Sequence, residues 1–301
     1  MPAPTGNDRY FDTNRARWDE SVPIHAASQG YDMEGFLRNE KPLCPVELEE
    51  VGDVAGRTLL HLQCHFGMDT LNWARLGARV TGLDFSQPAI DEARSLARRI
   101  GISDATFVQA NVYDAPDVLH DQFDIVYTGI GALCWLPDVR AWAQVVAGLL
   151  KPGGFVYVYE GHPVLWSMAD ENNEAHELVL RYPYFELDHP IEWTDDTTYT
   201  DGPPLRNKTN YEWNHGLGEI VTALIDAGLR LDFLHEHREV VWQALPWMVP
   251  TSEVTGDGRY DHRTRWQLPP EQRDLAPLMY SLKATKPLLT SADSEQHMSP
   301  R

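Results

Sequence analysis

Two features of the segment TLLHLQCHFGMDTLNWARLGARVTGLDFS (Thr58–Ser86) could do chemistry. One is a turn crowded with side chains, Gln63, Cys64, His65 and Phe66, closed by Gly67; the other is the carboxylate of Asp84. A carboxylate at the end of a strand can accept hydrogen bonds from a pair of hydroxyls, and a turn that opens a helix presents backbone N–H groups. Asp84 lies 21 positions after Gln63, close to the ~20 that separate a nucleotide-binding loop from the acid that takes ribose hydroxyls. The spacing points to an adenosine-containing ligand. Pyrophosphate needs glycines so that the backbone can approach it; here only Gly67 remains, and no Lys or Arg stands in the turn. An adenosine ligand without phosphate fits better.

The elements that position these groups are legible as apolar runs. Leu59, Leu60 and Leu62 form a first strand, a helix spans Met68–Leu76, and a second strand runs from Val80 to Leu83. FVQANVYD (Phe107–Asp114) predicts a third strand ending at Ala110 and Asn111, and Asp124–Thr128 a fourth. AWAQVVAGLL (Ala141–Leu150) has helical spacing and stops at Lys-Pro-Gly-Gly, after which Phe155–Glu160 alternates as a fifth strand. A helix over His215–Gly228 and strands at Leu229–Glu236 and Met279–Lys286 complete the set. Strands separated by helices imply a mostly parallel sheet covered on both faces.

In this order, over Thr58–Lys286, the chain resembles the class I S-adenosylmethionine-dependent methyltransferases; LKPGGFVYVYE alone is moderately specific for them, and the ordered set is strong. The resemblance implies an α/β, Rossmann-like fold of seven strands and S-adenosyl-L-methionine as cofactor. It departs from the family pattern where His61 replaces a common acid, and where Gln63 and His65 replace common glycines. By the family pattern, His61, Gln63, Cys64 and Gly67 border the methionine half of the cofactor. Asp84 takes the ribose, Phe85 and Ser86 follow it, Asn111 and Val112 flank the adenine, and Thr128 ends the fourth strand beside it. Ser86 is also the natural cap of a helix over Gln87–Ile100.

Composition narrows the function. A formal charge of −20 over 301 residues argues against a nucleic-acid partner, which needs a positive surface. Cys44, Cys64 and Cys134 are too scattered for a disulfide framework or a zinc site. With no apolar run of ~18 residues and no apolar leader in Met1–Tyr10, a cytoplasmic enzyme without membrane association is expected. The place just past the fourth strand where a catechol-type metal site would want carboxylates is Thr-Gly-Ile-Gly, so no metal is expected.

Residues 1–51 are expected to form an N-terminal helical lid from which Trp18, His25 and Tyr31 could reach the cofactor; for each of them taken singly, packing on the sheet's helices is the favoured explanation. Met1–Asn7 is expected to be mobile and residues 287–301 a disordered tail. Residues 52–286 form the methyltransferase domain. Within it, residues 161–214 are too long for an ordinary connection and are expected to cap the substrate. Seven of the ten tryptophans fall in the loops at the carboxyl edge of the sheet, where open α/β sheets bind ligands. Of these, Trp135, Trp166, Trp193, Trp213, Trp242 and Trp247 are the candidate walls of a pocket for a flat aromatic acceptor; a separate small core is the competing explanation. Glu160, His162 and His215 are the candidate bases.

The expected activity is methyl transfer to a small aromatic or heteroaromatic metabolite, phenol- or indole-like, of the kind met in secondary metabolism. The alternatives are an NAD(P)-dependent oxidoreductase, disfavoured by the missing phosphate-loop glycines, and a non-catalytic adenosine-ligand binding protein.

Overall fold

The apolar runs lie side by side in a seven-stranded sheet. The computed structural model describes residues 7–170, 176–251 and 264–288; most of the segments expected to be mobile at the two ends, residues 1–6 and 289–301, lie outside the described residues. The chain opens with helices α1 (Asp8–Ala27), α2 (Met33–Leu37) and α3 (Pro45–Val51). Next come β1 (Thr58–Leu62), α4 (Met68–Arg75), β2 (Arg79–Asp84), α5 (Gln87–Arg99), β3 (Thr106–Gln109), α6 (Ala115–Val118) and β4 (Phe123–Thr128). After α7 (Val139–Leu149) follow β5 (Leu150–Gly161), α8 (Pro163–Trp166) and a hairpin of β6 (Ile191–Thr194) and β7 (Thr209–Glu212). Then α9 (Leu217–Asp226) leads to β8 (Arg230–His237), β9 (Glu239–Val240), β10 (Val249–Pro250), β11 (Trp266–Gln267) and β12 (Met279–Thr285).

The large sheet has the order β3-β2-β1-β4-β5-β12-β8. Its first five strands are parallel, and β12 is antiparallel to both β5 and β8. This is the α/β, Rossmann-like architecture that the alternation of strands and helices implies. One face packs α7 and α9 through Trp142, Val146, Ile220 and Leu224; the other carries α3 and α4 through Val51 and Trp73. A separate cluster holds α5 through Ile90 and Leu96. The Lys-Pro-Gly-Gly turn is absorbed into β5 as a bulge: Phe123 pairs with Leu150, and Ile125 already pairs with Phe155. Helix α7 begins two residues before the expected Ala141 because the Asp138 carboxylate accepts from Arg140 and Ala141 N–H.

The segments at either end of the cofactor edge fold against each other. Helix α1 lies on the β6–β7 hairpin, and Arg17, 7% exposed, donates to the carbonyls of Asp195, Asn207, Lys208 and Thr197 at 2.9–3.1 Å. Asn14 and Tyr211 exchange two bonds of 2.8 Å, as paired strand residues would. Glu20 accepts from the backbone N–H of Arg206 and Asn207. Buried carbonyls need partners, and on this side of the hairpin the guanidinium supplies them. Replacing Arg17 with Met is therefore expected to lower stability by about 2 kcal/mol. Hydrogen exchange should show the gain in amide exchange concentrated in residues 191–212.

Candidate active site

The turn between β1 and α4 controls the site. Gln63, His65 and Gly67 all have left-handed backbones, with φ of 57°, 52° and 76°. A non-glycine residue there costs about 1 kcal/mol, and hydrogen bonds hold the shape: Cys64 N–H donates to Leu83 O at 2.9 Å and Gly67 N–H to Cys64 O at 2.9 Å. Gly67 cannot carry a side chain, since a Cβ would stand 2.7 Å from the Phe107 ring. Positions 63 and 65 use theirs. Gln63 Nε2 donates to Ala132 O at 2.8 Å, while Gln63 Oε1 is buried with no partner among the described residues. The His65 ring meets His25 at 3.3 Å and the Tyr31 hydroxyl at 3.4 Å.

Asp84, at the end of β2, is tied to this turn. Its Oδ2 accepts from His65 N–H at 2.8 Å and its Oδ1 from Ser86 N–H at 2.9 Å. Burial pushes its carboxyl up to about 6, against those stabilising amides. Beside it lies a cavity of about 120 Å³ lined by Phe85, Asn111, Val112, Gln63 and Trp135. A carboxylate, a ring and an amide side chain in that order suit a ribose and its base.

A second cavity, of about 420 Å³, shares Trp18, Tyr31, Gln63, His65, Trp135 and Tyr199 with the first. The two therefore join across one aromatic wall, where Trp18 meets Trp135 edge to face at 5.3 Å. Further in, Trp166 and Trp242 stack at 5.5 Å and 17°. Another part of the lining is polar: His61, Glu47, Asp69, Asn72, Lys41 and Tyr127. Burial, then the charge of Asp69, raises Glu47 to about 7, and Tyr127 donates to it at 2.5 Å. His61 and His25 are each held down at about 3 by burial and are neutral at physiological pH. Among the described residues, no group of three or more His, Cys, Asp or Glu could hold a metal ion, and no helix is long and apolar enough to cross a membrane.

The sequence-predicted residues divide. Trp18, Tyr31, His61, Gln63, Cys64, Gly67, Asp84, Phe85, Asn111 and Val112 line one or both cavities, as do Trp135, Trp166 and Trp242. His25 stands behind His65 rather than on the wall. Ser86 is occupied as the cap of α5, accepting from Ala89 N–H, and donates to Asp19 at 2.6 Å. Thr128 is buried between β1 and β5 and reaches neither cavity. Three tryptophans expected in the acceptor pocket pack elsewhere: Trp193 on Tyr182, Trp213 on Tyr10, and Trp247 on His176 with its Nε1–H donated to Gln272.

The three candidate bases also need correction, because none lines a cavity. The Glu160 carboxylate is buried and accepts from the N–H groups of Gly131, Ala132, Leu133 and Gly161. It fixes the loop after β4. His162 accepts from Val164 N–H at the start of α8 and faces Glu236 at 3.0 Å. His215 bonds Glu186 at 2.7 Å through Nδ1 and the carbonyls of Leu133 and Leu136 through Nε2. Strand-end and helix-start positions located the backbone correctly but not the direction of the side chain. The sequence reading also passed over Tyr199, Glu47 and Glu212, whose place depends on contacts between distant segments.

Because His65 already sits in the left-handed region, His65→Gly should preserve the turn while removing the ring shared by the two cavities. The expected result is an unchanged far-ultraviolet circular dichroism spectrum with faster amide exchange at Tyr31 and Tyr199. Loss of the fold would mean that the ring, not the backbone, supports the turn.

Comparison with known proteins agrees with this geometry. A family model described as a methyltransferase domain matches residues 60–156. The ubiquinone biosynthesis O-methyltransferase of Erwinia tasmaniensis is 33% identical over 197 residues, covering 60% of this chain and 76% of that protein. Its counterpart in Serratia proteamaculans is 29% identical over 190 residues, covering 60% and 77%. In structure, an S-adenosylmethionine-dependent methyltransferase from Mesorhizobium loti superposes with a TM-score of 0.54 at 20% identity, covering 80% of this chain and 96% of the other. The turn, the acid at the end of β2, the strand order and these relatives together place the chain in the class I S-adenosylmethionine-dependent methyltransferases.

Proposed function

We propose that the protein methylates a small aromatic or heteroaromatic metabolite, phenol- or indole-like, held in the larger cavity. The observation that carries this reading is the aromatic wall, with Trp18 and Trp135 at the junction and the Trp166–Trp242 stack further in. A planar ring gains about 0.5–1.5 kcal/mol from each such partner beyond simple burial. The relatives named as O-methyltransferases favour an oxygen nucleophile.

The residues present fit the cofactor. In this reading Asp84 holds the ribose diol, Asn111 and Phe85 hold the adenine, and Gln63 Oε1, buried without a partner, accepts from a donor on the methionine half. S-adenosylmethionine supplies an activated methyl group. What remains for the protein is to align the nucleophile with it and to keep water out. Gln63 and His65, at the junction of the two cavities, orient one ligand against the other.

Asp84→Ala removes a charge-assisted pair and should weaken S-adenosylhomocysteine binding by about 2–3 kcal/mol, measured by calorimetry. Since the carboxyl is raised to about 6 and only its ionised form accepts two hydroxyl protons, affinity should be flat above pH ~6 and fall as pH drops below it. The acceptor class is tested by incubating phenols, indoles, aliphatic amines and carboxylic acids with S-adenosylmethionine and measuring S-adenosylhomocysteine release. Turnover limited to aliphatic compounds would overturn the aromatic reading.

A further inference from the structure

With Glu160, His162 and His215 committed elsewhere, no group has yet been assigned to the proton that an O–H or N–H nucleophile must lose. Glu212 lines the larger cavity, together with Cys134 and Trp135. It is fixed from both sides. The backbone of the preceding residue, Tyr211, exchanges two hydrogen bonds with the side-chain amide of Asn14 on α1, and the following one, Trp213, donates its N–H to Cys134 O at 2.8 Å.

Its carboxylate is unlike the others in the cavity region. Glu160 accepts four amides and Glu47 accepts from Tyr127 and from Cys44 N–H, whereas Glu212, paired through its backbone with Ile191, has no hydrogen bond or ion pair to its carboxylate among the described residues. The charged and titratable groups around it are Asp195 from the hairpin, Arg17 from α1 and the Cys134 thiol. Arg17 is already committed to four carbonyls. A half-buried carboxylate that faces a cavity with no side-chain partner is under-satisfied, and an incoming O–H or N–H donor relieves that.

We propose that Glu212 is the general base, taking the proton of the acceptor's nucleophilic atom; this rests on the reading of the larger cavity as the acceptor site. The acceptor's oxygen or nitrogen forms the bond to the methyl carbon. The bond from that carbon to sulfur breaks, with its electron pair staying on sulfur, and the released proton passes to a Glu212 carboxylate oxygen. Burial, reinforced by Asp195, holds Glu212 at about 7, so near neutral pH it is substantially ionised and still basic enough to accept.

The test uses the full-length chain saturated with S-adenosylhomocysteine, with Glu212→Gln and Glu212→Asp beside the parent. Unchanged S-adenosylhomocysteine affinity in both variants establishes that they are folded. Carbon-13 NMR of glutamate-labelled protein should show a carboxyl titrating near pH 7 that is absent from E212Q. Its titration near pH 4 would overturn the proposal. The probe for the acceptor is 4-nitrophenol. Above pH 7 its binding to the parent should take up about one proton, read by calorimetry in buffers of different ionisation enthalpy, and its binding to E212Q none. Equal proton uptake by the two proteins overturns the role of Glu212. Failure of the parent to bind the phenol overturns the aromatic reading instead, and the carboxyl titration then decides on Glu212 alone. With an acceptor found by turnover, E212Q should be slowed 10²–10³-fold and lose the acidic limb near pH 7, with partial recovery in E212D.

Discussion

The His65 N–H to Asp84 carboxylate bond is the contact on which the site depends. It joins the left-handed turn after β1 to the end of β2, and so fixes where the Asp84 carboxylate stands relative to the loop. A glycine-rich turn would adopt this backbone without strain. Here two larger residues adopt it under constraint, and the strain is offset by what their side chains then reach. Gln63 bridges to the loop after β4, and His65 reaches α1 and the loop that follows it. The loop after β4 is held in turn by Glu160 through its amides. The boundary that the two cavities share is thus built on one connected set of hydrogen bonds.

The parts of this arrangement that were legible in the sequence are those set by local geometry. The register from Gln63 to Asp84 follows from one strand, one helix and one strand of ordinary length, which places Asp84 and Phe85, while Asn111 needed the third strand and the family resemblance as well. The seven strands followed from apolar runs, and the Ser86 cap from its position before Gln87-Pro88. Boundaries moved where a side chain intervened, as at Asp138, or where a turn became a bulge, as at Lys151–Gly154.

What could not be read was the direction of side chains at element ends and the outcome of long-range packing. Glu160 ends a strand at the ligand edge, yet its carboxylate turns to the amides of a neighbouring loop. His215 starts its helix beside the site, but two carbonyls and Glu186 consume both ring nitrogens. The tryptophan excess was informative as a group and misleading one by one. Trp166 and Trp242 meet across more than seventy residues of chain, while Trp193 packs on Tyr182 and Trp247 is taken up by the core on one face of the sheet. Glu212 gave no signal at all, since its surroundings exist only once the hairpin lies on α1 and against the loop after β4.

The Arg17 clamp has a consequence for how such an enzyme can diversify. The guanidinium grips backbone carbonyls at positions 195, 197, 207 and 208, not side chains. Carbonyls are the same whatever amino acid bears them. The hairpin tip can therefore change most of its residues one after another without losing these contacts. Side-chain bonds do the opposite: Glu20 of α1 pairs with the Arg206 and Asn207 side chains, and there a change in the hairpin calls for a matching change in the helix. The clamp thus separates attachment from residue identity and leaves much of the hairpin open to gradual mutational drift.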